Sequence, residues 1–375
     1  MAAVFGAIKG FIVSCLAFVF SFSQVIAPVG ALISPKKDAF FEDWNKEQSF
    51  VETYAARVDK KADKDFVILN LTDIQLSFPN AYSNEGEYSE KTIDKLIREK
   101  EPDLITVTGD NAWSITTYLR FIKFLDSYGI PWAPIMGNHD GQGCIDEFFC
   151  AYWLAGAKNC LFKFGPKDMG YGNYIINIYQ NGKIIHTLFM MDSHSDSHDT
   201  AASLINAGSG DGGYDHFWLN QLDWYEWAVN GIKELNGGET VESTVFMHIP
   251  CIEYRIAQAE CAEKVVTGVD ESGKETYYYR AKNEGDFGEN HEWICSPEAN
   301  NGFFALCKKL GSTKNMIAGH DHVNSMSIMY EGIRLSYGIK CGSGCYWEKT
   351  MSGGTLMSIN EKGENYNIHH EYIEF

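Results

Sequence analysis

The chain alternates short apolar runs with segments of helical periodicity, and this alternation constrains its fold more than any other feature. Three apolar runs have the length of buried strands: Asp65–Thr72, Asp103–Thr108 and Trp132–Met136. Between them, Tyr88–Glu99 and Thr116–Tyr128 repeat apolar residues at helical spacing. Strand, helix, strand, helix and strand in this order predict βαβ units, and therefore an α/β fold with parallel strands.

The second half of the chain predicts hairpins and further strands. Asn181-Gly182 lies between two apolar runs and is typical of a tight hairpin turn. Phe217–Ile232 has the spacing of a helix, and its aromatic residues are expected in the core. The remaining elements are two short strands and two hairpins: Thr244–Met247, Met316–Ala318, Ser325–Tyr337 with a turn at Glu331-Gly332, and Thr355–Tyr372 with a turn near Lys362-Gly363.

Apolar strands that end in potential metal ligands recur along the chain. These ligands are Asp73, Asp110, Asn138, His248 and the pair His320 and His322. A lone aspartate at a strand end is usually a turn or capping residue, and a lone histidine is usually just hydrogen bonded. Repeated at successive strand ends, such side chains can converge on one crevice, because open α/β sheets bind ligands at the carboxyl ends of their strands. This mixture of donors suits two divalent cations, which can activate water and neutralise charge on a phosphoryl group.

The ordered motifs resemble those of the calcineurin-like metallophosphoesterases. They are Asp73-x-Gln75, Gly109-Asp110, Gly137-Asn138-His139-Asp140, His248 and Gly319-His320-Asp321-His322, within about residues 65 to 345. Three further stretches are similar to the branch that contains the purple acid phosphatase 28/29-like plant proteins and their fungal cell-cycle phosphatase relatives: Met247–Pro250 with Tyr254, Gly319–Asn324 and Gly332–Gly338. The resemblance implies an α/β four-layer αββα sandwich with two mixed β-sheets and a dinuclear metal site at the strand C-terminal ends.

The resemblance also implies two metal sites that share one ligand. The first site would contain Asp73, Gln75 and His322, and the second site Asn138, His248 and His320, with Asp110 as the bridge. The implied cofactors are two divalent metal ions, with manganese, zinc, iron and magnesium left open. His139, beside these ligands, would protonate the leaving oxygen or stabilise the developing charge, and Asp140 would orient that imidazole.

Two positions depart from the family pattern. Gln75 stands where the family usually has a histidine, and an amide oxygen is a weak donor for zinc or iron but acceptable to manganese, magnesium or calcium. We therefore expect a weaker first site, or a Gln75 side chain that turns away and leaves its place to water. Trp113 stands where the purple enzymes have a metal-binding tyrosine, so neither their colour nor their ferric site is expected.

Charge and the N-terminus set the expected partners and location. A net charge of −19 and the lack of clustered basic residues argue against nucleic-acid binding, so the expected partner is a small phosphorylated substrate. The uncharged stretch from Gly10 to Ile33 has a core, Phe11–Phe22, typical of a signal peptide, with cleavage expected at Ala31. Uncleaved, residues 10–33 are long enough to tether the protein to a membrane, and a buried N-terminal helix is a third alternative. We expect an exported protein.

These sequence patterns predict three segments. Residues 1–33 form a signal peptide or membrane anchor, residues 34–64 an N-terminal lead-in and residues 65–375 the metallophosphoesterase domain. The polar, tyrosine-rich insertion 251–300 is expected to be a lid or substrate loop. The polar segment Asp192–Asp199 is interpreted as a solvated loop beside the site rather than another metal site. Asn70 begins a formal glycosylation sequon, but its place in the first buried strand predicts that it is unmodified.

The ten cysteines fit an exported chain, because disulfides persist outside the cytosol. Cys144, Cys150 and Cys160 are close in sequence, as are Cys341 and Cys345, but neither group has the paired C-x-x-C spacing of a zinc site. Structural thiols or disulfide bridges are therefore expected.

Three functional hypotheses follow. The leading one is a hydrolase of phosphate monoesters or diesters, in which a dinuclear metal centre activates water for in-line attack on phosphorus. The second is an exported, non-catalytic pseudoenzyme that binds metal or phosphate and has a first site weakened by Gln75. His139, which binding alone would not require, favours the enzyme. The third, an adhesion or scaffold module, finds no repeat or linker to support it.

Overall fold

The computed structural model describes residues 37–50, 52–76, 84–142, 146–195 and 213–374. The chain divides into two units, Met1–Phe41 and Glu42–Phe375. The described residues of the first unit form a single 3₁₀ turn, Lys37–Phe40, and the predicted leader at residues 1–33 lies outside the described residues. In the part of the chain that the structure describes, no helix is both long enough and apolar enough to cross a membrane.

Two mixed sheets form the centre of this unit. A five-stranded sheet has the order β15-β14-β2-β3-β4, and a seven-stranded sheet has the order β1-β5-β6-β7-β11-β13-β12. The strands of the first are β2 (Phe66–Leu71), β3 (Leu104–Thr108), β4 (Trp132–Ile135), β14 (Gly353–Ile359) and β15 (His369–Tyr372). The strands of the second are β1 (Ala55–Asp59), β5 (Tyr174–Gln180), β6 (Lys183–Met190), β7 (Glu242–Met247), β11 (Thr313–Ala318), β12 (Ser327–Tyr330) and β13 (Ile333–Tyr337).

The strands that carry the ligand motifs are parallel to their neighbours. β2 pairs with β3 and β3 with β4 in parallel, and β7 pairs in parallel with β11. The predicted hairpins are antiparallel as expected: β5 with β6, β12 with β13 and β14 with β15. Asn181 and Gly182 both have positive φ, as the tight turn between β5 and β6 requires. The βαβ order of the sequence therefore gives the predicted parallel strands around the motifs.

Helices cover the outer face of each sheet. They are α1 (Asn84–Lys100), α2 (Ile115–Asp126), α3 (Glu147–Gly156), α4 (Leu219–Leu235), α5 (Glu253–Cys261) and α6 (Phe303–Leu310). On one side, α1 contacts β2 and β14, and Phe121 of α2 packs edge-on against Trp132 of β4. On the other side, Tyr225 of α4 packs against Phe189 of β6 and Phe303 of α6. Between the sheets, the Tyr174 hydroxyl donates to the Pro134 carbonyl at 2.8 Å. This arrangement confirms the predicted αββα sandwich.

The lead-in and the insertion are more ordered than the sequence predicted. Ala55–Asp59, assigned to the lead-in, adds the edge strand β1 in parallel to β5. The insertion forms α5 and a third, antiparallel sheet of β8 (Ala262–Val269), β9 (Glu275–Ala281) and β10 (Glu289–Asn290) instead of a loop. Both were missed because their strands are mostly solvent-exposed, so apolar alternation, the main sequence signal of a strand, is weak.

The cysteines and Asn70 can be placed against their predictions. Every cysteine among the described residues is a free thiol, so the structural-thiol alternative holds there and bridges do not; Cys15 and Cys144 lie outside the described residues. Asn70 is fully buried in β2, and its amide donates to Thr106. Burial of the acceptor amide leaves no access for a glycosylating enzyme, in agreement with the sequence prediction.

Candidate metal centre

The strand-end residues converge on one buried cluster between the two sheets. Asp73 and Gln75 follow β2, Asp110 follows β3 and Asn138 follows β4, while His248 follows β7 and His320 and His322 follow β11. Each of these residues is less than a tenth exposed. Oxygen and nitrogen atoms of Asp73, Asp110 and His322 lie within 4.8 Å of one another. All seven residues named from sequence as metal ligands are therefore brought together.

The backbone at the centre is shaped for close approach. Four of these residues have left-handed backbone: Asp73, Gln75, Asp110 and His320, with φ of 51°, 48°, 53° and 76°. Such conformations cost of order 1–3 kcal/mol each and cluster at functional sites. Glycines provide the space. A Cβ on Gly137 would lie 2.2 Å from Asp110 Oδ1, and one on Gly109, whose φ is +86°, would lie 2.6 Å from His248 Nδ1. Gly137 is thus required by contact, and Gly109 by both contact and conformation.

One half of the centre presents converging acceptors, and we call it the His248 half; it consists of Asp110, Asn138, His248 and His320. His248 Nε2 lies 2.9 Å from Asn138 Oδ1, 3.4 Å from Asp110 Oδ1 and 3.3 Å from His320 Nδ1. His248 Nδ1 lies 2.8 Å from the Thr108 carbonyl, so Nδ1 carries the proton and Nε2 presents its lone pair.

The electrostatics of the His248 half fit a cation. Burial, together with the neighbouring His248, holds the pKa of His320 well below its usual range, so this imidazole is neutral. Burial alone would lower the pKa of His248, but the carboxylates of Asp110 and Asp73 outweigh it and raise the pKa. Carboxylate, amide oxygen and two imidazole nitrogens form a mixed O/N donor set suited to a divalent metal ion. Lone pairs 2.9 Å apart in a buried site call for positive charge between them.

The other half, which we call the Gln75 half, consists of Asp73, Gln75, His322 and the unpredicted Lys340. Asp73 Oδ1 lies 3.3 Å from His322 Nε2, and His322 Nδ1 lies 2.9 Å from the Tyr346 carbonyl. Burial opposes ionisation of Asp73, but the hydrogen bond and charge of His322 outweigh it and hold the pKa of Asp73 well below its usual range. Asp73 and His322, both predicted for the first metal site, therefore lie next to each other.

Gln75 does not present its oxygen to that pair. Its Nε2 donates to Asp110 Oδ2 at 2.8 Å and lies 3.2 Å from His322 Nε2. Its Oε1 accepts a hydrogen bond from Lys340 Nζ at 2.9 Å, and Lys340 also donates to the Asp73 carbonyl at 2.7 Å. Burial lowers the pKa of Lys340, and the charge of Asp73 works against that shift. Gln75 is therefore in the site, but it faces the predicted metal with N–H rather than with oxygen.

His139 lies beside the ligands, as predicted for a proton donor. Its side chain is 30% exposed, and its Nε2 is 4.0 Å from Asp110 Oδ2. Its Nδ1 lies 2.6 Å from Gln142 Oε1, and because an amide oxygen can only accept, Nδ1 carries a proton. The ring stacks on Trp113, with centroids 4.6 Å apart. Gln142 and Trp113 therefore fix the orientation of this imidazole.

The role predicted for Asp140 is wrong. Its carboxylate does not orient His139; it accepts hydrogen bonds from the Gly137 N–H at 2.8 Å and from the backbone N–H and side-chain amide of Asn111, each at 3.0 Å. The Asp140 N–H donates to the Gly137 carbonyl, and this turn points the side chain back beneath the loop. Burial and the charge of Asp110 raise the pKa of Asp140 to about 7. Asp140 ties the Asn138 loop to the segment after β3.

The segment after β6 is also less solvated than predicted. Asp192 and Ser193 are buried: Asp192 accepts from the Tyr171 and His194 N–H groups, and the Ser193 hydroxyl accepts from the Ile249 N–H. His194 stacks on Trp218 with centroids 3.9 Å apart. These contacts make the start of the segment a structural support next to His248; the rest of Asp192–Asp199, from residue 196, lies outside the described residues.

Sequence reasoning missed several side chains around the centre. Besides Lys340 and Gln142, two tyrosines pack on ligand histidines: Tyr214 edge-on to His320 at 4.5 Å and Tyr346 stacked on His322 at 4.2 Å. Ring contacts of this kind restrict histidine orientation. Gln142 had a local signal, since it follows His139 by one turn. Lys340 and the tyrosines had none, because they reach the centre from distant loops.

The paired mixed sheets and the strand-end ligands define a metallophosphoesterase class of fold. The model of the calcineurin-like phosphoesterase family matches residues 66–238 of the chain. The chain is 27% identical to "Probable inactive purple acid phosphatase 14" of Arabidopsis thaliana, over 65% of this chain and 60% of the relative. It is 25% identical to "Phosphatase DCR2" of Saccharomyces cerevisiae, over 82% of this chain and 53% of the relative.

A further relative extends the same group. The chain is 25% identical to "Probable inactive purple acid phosphatase 29" of Arabidopsis thaliana, over 72% of this chain and 67% of the relative. These matches confirm the resemblance to the purple acid phosphatase-like and fungal phosphatase branch. The matched region spans between half and two thirds of the length of the first two relatives.

Proposed function

We propose that this protein is a metal-dependent hydrolase of small phosphate esters. The observation that carries the proposal is the His248 half of the centre, where Asn138 Oδ1, Asp110 Oδ1 and His320 Nδ1 converge on His248 Nε2 at 2.9–3.4 Å. These four residues would hold a divalent ion. Such an ion supplies stabilisation of the charge that builds on a phosphoryl group and the acidity needed to activate a water molecule.

His139 supports catalysis rather than binding alone. Its proton on Nδ1 is held by Gln142, so protonation of the second nitrogen would place an acidic N–H on the side of Asp110, facing the centre. The partly exposed ring can reach a substrate, and stacking on Trp113 keeps it in place. From this position the imidazolium would donate a proton to the leaving oxygen of the ester, which is the step that limits departure of a poor leaving group.

The non-catalytic alternative rests on the Gln75 half. The hydrogen bond from Lys340 to Gln75 removes one expected oxygen donor, and a binding protein would tolerate that loss. Two of the similar plant proteins carry the word "inactive" in their names. His139, which contacts Gln142 and Trp113, favours the enzyme over the binding protein, because a binding protein has no need of a positioned proton donor. Export through residues 1–33 also remains part of the proposal.

The test combines metal analysis with hydrolysis. The purified protein is assayed on p-nitrophenyl phosphate and bis-p-nitrophenyl phosphate, before and after chelation and after manganese, magnesium, zinc or iron is added back. We expect activity that chelation abolishes and one or more of the metals restores. Activity that survives complete chelation would overturn the metal mechanism. Metal binding at His248 without hydrolysis of either ester would favour the non-catalytic protein.

A further inference from the structure

We infer that the centre holds one divalent ion, in the His248 half, and that Lys340 and Gln75 together close the other metal position. The inference rests on the proposed metal-binding function and deepens it. The first position does not fit a metal ion as its residues stand, because the side chain expected to donate an oxygen is held by a buried amine on the opposite side.

The backbone fixes Lys340 at this position. Lys340 follows β13 and forms a parallel bridge with Thr72 at the end of β2, and the Cys341 N–H donates to the Thr72 carbonyl at 3.1 Å. The side chain is 2% exposed and runs beneath the ligand loop. Its amine donates to the Asp73 carbonyl and to Gln75 Oε1. Burial and these two hydrogen bonds hold the amine in place.

The partners of Gln75 determine which way its amide faces. Lys340 can only donate to the amide, whereas the Asp110 carboxylate can only accept. Rotating the amide by half a turn would set N–H against the amine and oxygen against the carboxylate, which is unfavourable on both sides. The N–H therefore points at Asp110 Oδ2 and toward His322 Nε2. A primary amide nitrogen with two hydrogens does not ligate a metal ion.

The amide thus occupies the space that a first metal would need. Asp110 Oδ2, an oxygen of the carboxylate expected to bridge, already accepts the Gln75 N–H at 2.8 Å. Lys340 can donate both of its hydrogen bonds as an ammonium or as an amine, and in either state the Asp110 carboxylate, which can only accept, keeps the Gln75 N–H facing the centre.

The experiment counts bound ions. Manganese stoichiometry is measured on the full chain by equilibrium dialysis with elemental analysis, and the manganese EPR spectrum is recorded at saturation. We expect one equivalent and the spectrum of an isolated ion. Two equivalents of similar affinity, or the spectrum of an exchange-coupled pair, would overturn the inference. No bound manganese at all would instead overturn the proposed metal-binding function.

Variants test the assigned residues. Lys340→Met combined with Gln75→His removes the amine and restores an imidazole, and we expect affinity for a second ion to rise by about 10–100-fold. Lys308→Met, at a surface lysine paired with Glu331, is the matched control and should keep one equivalent. If the double variant binds a second ion no better than wild type, Lys340 and Gln75 do not close the site. Should it fail to fold by circular dichroism, the wild-type count and spectrum decide alone.

Discussion

The two halves of the metal centre share their backbone design and differ in what their side chains present. Asp73 and Gln75 in one half, and Asp110 and His320 in the other, sit on left-handed backbone after parallel strands. In the His248 half, Asn138 Oδ1, Asp110 Oδ1 and His320 Nδ1 lie 2.9–3.4 Å from His248 Nε2. In the Gln75 half, an amine and an amide N–H meet carbonyl and carboxylate acceptors.

Both halves therefore carry the ligand motifs, but they differ in how well their side chains suit a metal ion. A divalent cation suits the oxygen and nitrogen atoms that converge around His248 Nε2 in the His248 half. In the Gln75 half, Gln75 and Lys340 donate to Asp110 Oδ2, Gln75 Oε1 and the Asp73 carbonyl, while Asp73 Oδ1 lies 3.3 Å from His322 Nε2. A ligand motif placed at the right strand end therefore does not suffice for metal binding; the neighbours of each ligand decide whether its lone pair is free.

Replacing one histidine in each half gives the largest expected contrast. His248→Ala should weaken metal binding by about 100-fold or more and abolish turnover, because it removes the ligand that contacts three others. His322→Ala, the matched change in the Gln75 half, should leave one bound ion. Metal titration of both variants checks this. Equal loss of metal in the two would show that both halves bind ions.

His139→Ala tests whether the His248 half acts in catalysis. Turnover should fall by about 10²–10⁴-fold, the range for a lost general acid, while metal content stays at the wild-type level. The loss should be smaller for p-nitrophenyl esters than for alkyl esters, since a good leaving group needs less protonation. Parallel kinetics and elemental analysis provide the measurement. A variant without its metal would reveal that His139 is a ligand.

Gln142 variants test whether the orientation of His139 matters for catalysis, with a smaller expected effect on turnover. Gln142→Leu removes the acceptor on His139 Nδ1 and should lower turnover by about 10-fold through misorientation, without loss of metal. Gln142→Glu keeps an acceptor oxygen and serves as the control, with activity near wild type. The turnover–pH profile is recorded for all three proteins. An unchanged rate in the leucine variant would assign orientation of the ring to Trp113 alone.

His186 shows what a buried imidazole does away from carboxylates. It lies 2.6 Å from the Gly363 carbonyl and 3.0 Å from the Thr244 hydroxyl, and burial lowers its pKa to about 4. An unfolded chain with a histidine pKa of about 6.5 binds a proton that the folded protein excludes. The stability contribution is therefore complete above about pH 6.5 and is lost as pH falls toward 4, by about 3 kcal/mol in total.

Urea unfolding of wild type and His186→Gln between pH 7.5 and 4.5 measures this contribution. The free energy of unfolding of the wild type should fall more steeply below pH 6.5 than that of the variant, and the two curves should run parallel above pH 7. Parallel curves over the whole range would mean that His186 titrates alike in both states. Its behaviour contrasts with that of His248, whose pKa is raised by Asp110 and Asp73.

Local patterns in the sequence determined the fold class and most of the site. Apolar runs and helical spacing fixed β2, β3, β4 and the helices between them, because these signals depend on neighbours a few residues apart. A residue directly after a parallel strand lies at the same sheet edge as its equivalents on adjacent strands. The sequence alone therefore groups six of the site residues: Asp73, Asp110, Asn138, His248, His320 and His322.

Only the tertiary structure decided what each of these side chains meets. Lys340 contacts Gln75 across a separation of 265 residues, through a bridge between the ends of β2 and the segment after β13. Asp140 was predicted to orient His139, but its side chain turns into the loop and Gln142 contacts His139 instead. The direction of a side chain in a turn depends on the local backbone path. Hydrogen-bond partners follow from sheet register and loop geometry, neither of which is encoded by residue type and spacing within a single segment of chain.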